Sequence, residues 1–193
     1  MELIIHRINT LKKLKKIPSK YGVEIDLRSK NSKIILSHDI KNKSEKLTNY
    51  LENYNNGTLV LNIKENGIEN EVIELVKSYS IKSYFLLDVE MPYIFTSFEK
   101  NKNTAIRFSE YESINTAKYF INKLDWIWVD TVTKFPVNKK NIPIISKFKS
   151  CFVCPERWGR KKDIIKYKKL MRKINFYPTS IMTNKSCVKL WEN

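Results

Sequence analysis

Eight short runs of β-branched and apolar residues recur along the chain, and segments with helical spacing separate them. The runs, typical of buried strands, cover residues 2–6, 22–27, 57–63, 82–88, 104–108, 125–130, 150–155 and 178–183. Apolar residues lie three or four positions apart in the helix candidates, which are 9–20, 44–54, 68–79, 114–123, 140–149 and 161–173. Because parallel strands need a crossover connection, usually a helix, this alternation predicts an α/β fold with parallel strands.

Eight β/α units predict a compact (β/α)8 TIM-like barrel that occupies residues 1–193 as a single domain. A typical barrel has about 250 residues, whereas this chain allows roughly 24 per unit, so we expect short or missing helices. A doubly wound open sheet is the alternative. The sequence has neither the GxGxxG nor the GxxxxGK phosphate loop, which argues against the common nucleotide-binding enzymes.

The charge balance constrains the partners of the chain. It has 36 Lys and Arg against 20 Asp and Glu, a net charge of +16. Such a field attracts nucleic acid, an anionic membrane surface or a phosphorylated substrate, and composition alone does not choose among them. The sequence has no apolar run of roughly 18–20 residues and its start does not resemble a signal peptide, so we expect no transmembrane segment and a cytoplasmic location.

The three cysteines fit a reducing compartment. Cys151 and Cys154 have CxxC spacing, but residues three apart on a strand point to opposite faces, and Pro155 follows directly. We therefore expect buried structural cysteines rather than a metal clip or a redox pair.

The most informative polar residues lie on the second and third strand candidates. Glu24 and Asp26 share one strand face, while the intervening residues are apolar. Two carboxylates on one inward face repel each other unless a cation or a proton lies between them, so the pair implies a hard divalent metal or a raised pKa. We favour the metal. Asn62 and Lys64 likewise lie together on the polar face of the third strand candidate.

The chain has two histidines, and both lie at strand or loop ends. His6 precedes Arg7 and His38 precedes Asp39, so each imidazole has a charged neighbour that can set its charge or tautomer. A histidine is the side chain best suited to proton transfer near neutral pH. Two of them could serve as acid and base in one site.

The order of these segments resembles a known family. His6-Arg7 with Asn9-Thr10 looks like the opening His-Arg and downstream Asn-Thr of the glycerophosphodiester phosphodiesterases, whose barrels belong with the phosphatidylinositol-specific phospholipase C group. GVEIDLR, residues 22–28, is similar to the segment with that family's Glu-x-Asp metal ligands. KIILSHD, residues 33–39, resembles the segment that ends in its catalytic His-Asp, and LVLNIKENG resembles the strand with its Glu-x-Lys.

The resemblance implies metal-dependent hydrolysis of a phosphodiester at the carboxyl rim of a barrel, with a glycerophosphodiester-like or phosphoglycan substrate. It implies His6 and His38 as catalytic residues, and Arg7 and Lys64 as residues that bind the anionic phosphodiester. It also implies that Mg²⁺ or Ca²⁺ is held by the set Glu24, Asp26 and Asn62. Asn62 stands where the family has a third carboxylate.

Two other functions remain open. A noncatalytic or altered barrel would bind a phosphorylated glycan or lipid headgroup through the same rim, and Asn62 is its main support. A nucleic-acid-binding protein would use the basic segment 160–173. In that segment Ile164, Ile165, Leu170 and Met171 form an apolar stripe, so we expect its lysines to be the solvated face of an outer helix.

Overall fold

The structure is a computed structural model that describes residues 1–39 and 44–192. The chain forms two compact units, and each is described by itself. The N-terminal unit is Ile5–Ser97, and the C-terminal unit is Met1–Ile4 with Phe98–Asn193. The assignment of residues 1–193 to a single domain stays a prediction.

All eight predicted strands form, together with two short strands that the sequence did not indicate. The strands are β1 (Glu2–Ile5), β2 (Gly22–Lys30), β3 (Lys33–Leu36), β4 (Glu45–Lys46), β5 (Leu59–Ile63), β6 (Tyr84–Leu87), β7 (Ala105–Phe108), β8 (Trp126–Val129), β9 (Lys149–Val153) and β10 (Ser180–Thr183). The α-helices are α1 (Leu11–Leu14), α2 (Leu47–Glu52), α3 (Glu69–Ser78), α4 (Met91–Ser97), α5 (Ile114–Tyr119), α6 (Ile142–Ile145), α7 (Asp163–Lys173) and α8 (Val188–Glu192). The mixed α/β class is therefore confirmed.

In the N-terminal unit, β2 is parallel to β5 and β5 is parallel to β6. On its other side β2 is antiparallel to β3, which in turn is antiparallel to β4. Asn31 and Ser32 connect β2 to β3 with φ values of 49° and 55°. Two residues with positive φ form the tight turn that matches the twist of a β-hairpin, so this reversal is encoded locally.

In the C-terminal unit, β7, β8, β9 and β10 form a run of parallel strands in that order. Phe152 of β9 is fully buried and contacts the rings of Phe135, Tyr167, Phe176 and Trp191. These strands supply the β/α alternation of the second half of the chain. Closure of all the strands into one (β/α)8 barrel stays a prediction.

The helices are short, as the small number of residues per unit predicted. The segment 9–20 forms only the four residues of α1, because the side chain of Asn9 bonds to Asp26 and Pro18 has no N–H to donate. The segment 114–123 ends as a helix at Tyr119, shortly before Asn122 with its φ of 66°. Sequence periodicity did not indicate α4 or α8.

In the long helix α7, the predicted apolar stripe is wrong at Ile165. It buries Ile164, Tyr167 and Met171, whereas Ile165 is 61% exposed. The buried positions follow the helical spacing of three and four residues, which Ile165 does not match. In the described part of the chain, no helix has the length and apolar character needed to cross a membrane.

Candidate active site

A pair of buried carboxylates lies at the centre of the candidate site. Glu24 and Asp26 of β2 are 1% and 0% exposed, and they lie two residues apart on one side of the strand. Asp26 is in register with Asn62 of the parallel strand β5, and Asn62 is also buried. The predicted grouping of these three side chains on neighbouring strands therefore forms within the N-terminal unit.

Both carboxylate oxygens of Glu24 accept a hydrogen bond. Oε2 accepts from the backbone N–H of Arg7 at 2.7 Å, and Oε1 accepts from Nδ2 of Asn62 at 2.8 Å. Nε2 of His6 is 3.9 Å from Oε2. Arg7 has a φ of 55°, a left-handed conformation that is uncommon for a residue with a side chain and that occurs often at functional sites.

Burial raises the pKa of Glu24 from its ordinary value of 4.5 to about 7. The neighbouring charge of Asp26 acts in the same direction, whereas the hydrogen bonds from Asn62 and Arg7 and the charge of Lys64 lower the pKa. From the sequence, we expected either a bound cation or a raised pKa to relieve the repulsion between the two carboxylates. The raised pKa of Glu24 holds for the protein without a cation.

Asp26 is held by neutral and charged donors. Its Oδ2 accepts from Nδ2 of Asn9 at 2.7 Å, and its backbone N–H donates to Oδ1 of Asn9 at 2.9 Å. Nε of Arg7 is 3.8 Å from Oδ2. Nζ of Lys64 is 3.6 Å from Oδ1. Two fixed cations therefore flank the carboxylate pair, which suits a site that receives an anion beside a metal.

His38 lies beside a cavity of about 500 Å³ that Arg7, Asn9, Lys13 and Ser37 also line. Its Nδ1 is 2.7 Å from Oδ1 of Asp39, and its backbone carbonyl accepts from Nε of Arg28. His38 thus shares the cavity with Arg7, while His6 contacts Glu24 directly. The other six predicted site residues form one contact network around Glu24 and Asp26.

The donor atoms of this network fit a hard divalent cation. Asp26 Oδ1 and Asn62 Oδ1 are both buried and have no hydrogen-bond partner in the described part of the chain. Carboxylate and amide oxygens are the ligands that Mg²⁺ and Ca²⁺ prefer. Residues 1–39 and 44–192 contain no group of three or more His, Cys, Asp or Glu in a metal-binding arrangement. In the candidate site, the amide of Asn62 accompanies the two carboxylates.

The sequence interpretation used Asn9 only for the family resemblance and placed Asp88 among the carboxylates at strand ends, and it gave neither residue a role in the site. Asn9 fixes Asp26, and Asp88 accepts a hydrogen bond from Nζ of Lys64 at 3.1 Å. Two sequence features could have indicated these residues. Asn9 lies three residues after His6, and Asp88 directly follows the end of a strand. Neither pattern indicates which side chain the residue contacts.

Two solved structures are similar to this chain. One is a glycerophosphodiester phosphodiesterase from Agrobacterium tumefaciens, with a TM-score of 0.65 and 11% identity over 95% of each chain. The other is a glycerophosphoryl diester phosphodiesterase from Parabacteroides distasonis, with a TM-score of 0.64 and 13% identity over 98% of this chain and 86% of that chain. No protein-family model and no curated protein sequence matches. The chain therefore has the fold of glycerophosphodiester phosphodiesterases, which confirms the resemblance seen in its sequence.

Proposed function

We propose that the network around Glu24 and Asp26 hydrolyses a phosphodiester, with a glycerophosphodiester-like or phosphoglycan compound as the substrate. The observation that carries the proposal is the buried carboxylate pair flanked by Arg7, Lys64 and His6 in a chain with this fold. Burial of two carboxylates costs free energy. A purely structural role would not require this cost, so the buried pair supports a functional role. A cytoplasmic location stays a prediction from the sequence.

Arg7 and Lys64 bind the nonbridging oxygens of the diester in this proposal. The side chain of Arg7 is 39% exposed and lines the cavity, so it can meet an anion from solvent. The side chain of Lys64 is 16% exposed and holds its charge deeper in the site. Such cations stabilise the charge that develops on the phosphoryl oxygens in the transition state.

Glu24, Asp26 and Asn62 hold the divalent cation, Mg²⁺ or Ca²⁺. When bound, this cation supplies Lewis-acid stabilisation of the phosphoryl group. The buried oxygens Asp26 Oδ1 and Asn62 Oδ1 support the assignment, because each lacks a hydrogen-bond partner among residues 1–39 and 44–192. Asn9 keeps Asp26 in place through two hydrogen bonds and so orients its second oxygen.

His6 and His38 exchange protons with the attacking and leaving oxygens. The contact between Nδ1 of His38 and Asp39 orients the ring and leaves Nε2 for proton transfer. Hydrolysis adds one water across a P–O bond, and the alcohol leaves with a proton while a phosphomonoester forms. The cavity beside Arg7 and His38 offers about 500 Å³ for one of the two alcohol groups.

The test is hydrolysis of glycerophosphodiesters and a generic aryl phosphodiester by the wild-type protein, with chelator and after addition of Mg²⁺ or Ca²⁺. We expect a phosphomonoester product, loss of turnover with chelator and recovery with a cation. The variants Glu24→Gln and Asp26→Asn remove one charge each at nearly constant volume and should lower cation affinity and turnover. Turnover that is the same in wild type and both variants contradicts the proposed site.

Asn62 favours a second candidate, a barrel that binds a phosphorylated glycan or lipid headgroup without hydrolysis. An amide in the third position binds a hard cation less tightly than a carboxylate. Saturable binding of a glycerophosphodiester by calorimetry, with no product after long incubation in either cation, would favour this candidate over the enzyme.

A further inference from the structure

Asp88 has a strained backbone and a carboxylate that is directed into the candidate site. It follows β6 immediately and has a φ of 57°, in the left-handed region that is unfavourable for most residues with a side chain. Its Oδ2 accepts a hydrogen bond from Nζ of Lys64 at 3.1 Å. Strain of this kind persists where the surrounding structure requires it, and here it directs the carboxylate at the site's lysine.

The ammonium of Lys64 lies between two carboxylates and is bonded to one of them. Nζ is 3.1 Å from Oδ2 of Asp88 and 3.6 Å from Oδ1 of Asp26. The longer distance is an ion-pair contact rather than a hydrogen bond, and Asp26 Oδ1 has no hydrogen-bond partner in the described ranges. The ammonium therefore donates to Asp88 and stops short of a hydrogen bond to Oδ1 of Asp26.

We propose that Asp88 is a positioning residue that holds Lys64 away from Asp26, so that Oδ1 of Asp26 stays open to a divalent cation. The inference rests on the cation site of the proposed function and adds to it a residue with no ligand role. Without the Asp88 carboxylate, the lysine gains a hydrogen bond by shifting the short distance to Asp26. The ammonium and the cation then compete for the same oxygen.

The experiment is a double-mutant cycle read by calorimetric titration of Mg²⁺ and Ca²⁺ into the protein without substrate. The variants are Asp88→Asn, Lys64→Met and the double variant. Asparagine tolerates the left-handed backbone conformation as well as aspartate does, so Asp88→Asn preserves the turn. Glu65→Gln is the matched control, because it removes one negative charge at the residue next to Lys64 while Glu65 itself contacts Arg28 and Ser29.

We expect Asp88→Asn to weaken cation binding roughly tenfold or more in the wild-type background. In the Lys64→Met background the same change should alter affinity by no more than about twofold, because the competing ammonium is gone. Glu65→Gln should leave affinity within about twofold. Circular dichroism spectra and unfolding midpoints that match those of the wild-type protein confirm that the variants fold. Asp88→Glu is a further variant that keeps the negative charge.

An equal loss of affinity in both backgrounds would mean that Asp88 acts as a general negative charge and would overturn the positioning role. Unchanged affinity for Asp88→Asn would overturn it as well. If Asp88→Asn does not fold, Asp88→Gly replaces it, because glycine also adopts the left-handed conformation. A tenfold loss in Asp88→Gly that disappears with Lys64→Met supports the proposal, and equal losses or unchanged affinity overturn it. A wild-type protein that binds neither cation overturns this inference together with the cation site, whereas intact wild-type binding without coupling overturns the inference alone.

Discussion

At the scale of single residues, Asn62 sets the number of negative charges beside Glu24 and Asp26. It donates a hydrogen bond to Glu24 and leaves its own buried oxygen without a partner in the part of the chain that is described. A carboxylate there would add charge for a cation but would remove the donor that stabilises ionised Glu24. Asn62 therefore lowers the cost of burying Glu24 in its ionised form, and in the proposed function it would bind a hard cation less tightly than a carboxylate would.

Replacement of Asn62 by Glu should raise the affinity for Mg²⁺ and Ca²⁺ in a calorimetric titration, because a third carboxylate joins the donor set. Without cation, the same variant should lower the free energy of unfolding by about 3 kcal/mol at neutral pH, because a buried carboxylate loses its donor and gains a like charge. Asn62→Gln is the matched control for side-chain length. Cation binding equal to or weaker than wild type would show that position 62 does not contribute a ligand.

The raised pKa of Glu24 predicts a pH-dependent stability for the protein in chelator. Between its ordinary pKa of 4.5 and its pKa of about 7 in the folded protein, the folded state retains a proton that the unfolded state releases. The free energy of unfolding should therefore fall as pH rises through this window, by about 3 kcal/mol relative to Glu24→Gln. Urea unfolding of both proteins from pH 4.5 to 8 measures the difference. Parallel profiles would contradict the raised pKa.

The residues that strand alternation could group were predicted correctly as neighbours. Glu24 and Asp26 share a face because successive strand residues alternate, and the pairing with Asn62 follows from parallel neighbouring strands. Contacts set by loop geometry were not accessible in this way. The hydrogen bond from Lys64 to Asp88 depends on a left-handed residue after β6, and no periodic pattern encodes such a turn.

At the scale of elements, the sequence identified where strands lie better than where helices end. Most predicted strands are short runs of mainly apolar residues that are largely buried, so their composition reveals them. The helices end according to local turns, such as the one at Asn122, and those turns shortened most of them. The hairpin of β2 and β3 was missed because its two turn residues lie inside a polar segment.

The buried face of α7 gives a test of the element boundaries and helix phase. Ile164 is 0% exposed and Ile165 is 61% exposed, although the two residues are identical and adjacent. Ile164→Ala should lower the free energy of unfolding by about 2–5 kcal/mol, whereas Ile165→Ala should change it by no more than about 0.5 kcal/mol. Chemical denaturation of the two variants is the measurement. Similar losses in both would contradict the observed helix phase.

At the scale of the whole molecule, the net charge of +16 attracts polyanions whatever the site does. The exposed face of α7 carries part of this charge, while its apolar face is buried. The nucleic-acid function predicted as an alternative would depend on such faces. Hydrolysis would depend instead on the network around Glu24.

Neutralising the exposed residues Lys166, Lys169 and Lys173 to Gln should therefore weaken capture of anionic ligands at low salt and leave turnover unchanged. The salt dependence of oligonucleotide binding, measured beside phosphodiester turnover, separates the two effects. A variant that loses tight, sequence-selective nucleic-acid binding would move the interpretation to the nucleic-acid function.

The three cysteines test the integrity of the fold as a whole. Cys151, Cys154 and Cys187 are buried, as predicted, and none forms a disulfide. Burial raises the pKa of Cys151 to about 12 and raises that of Cys154 further. A thiol reagent at pH 8 should label the native protein far more slowly than the unfolded protein, because little thiolate is present and access is blocked. Rapid labelling of Cys151 in native protein would contradict its burial.

The most direct test of the central claim is turnover of a phosphodiester by the histidine variants. His6→Ala and His38→Ala each remove a proposed proton-transfer group and should lower turnover by roughly 10²–10⁴-fold, while phosphate binding changes little. Full turnover in both variants, at the cation concentration that saturates the wild-type protein, would contradict a hydrolytic site built on these two residues.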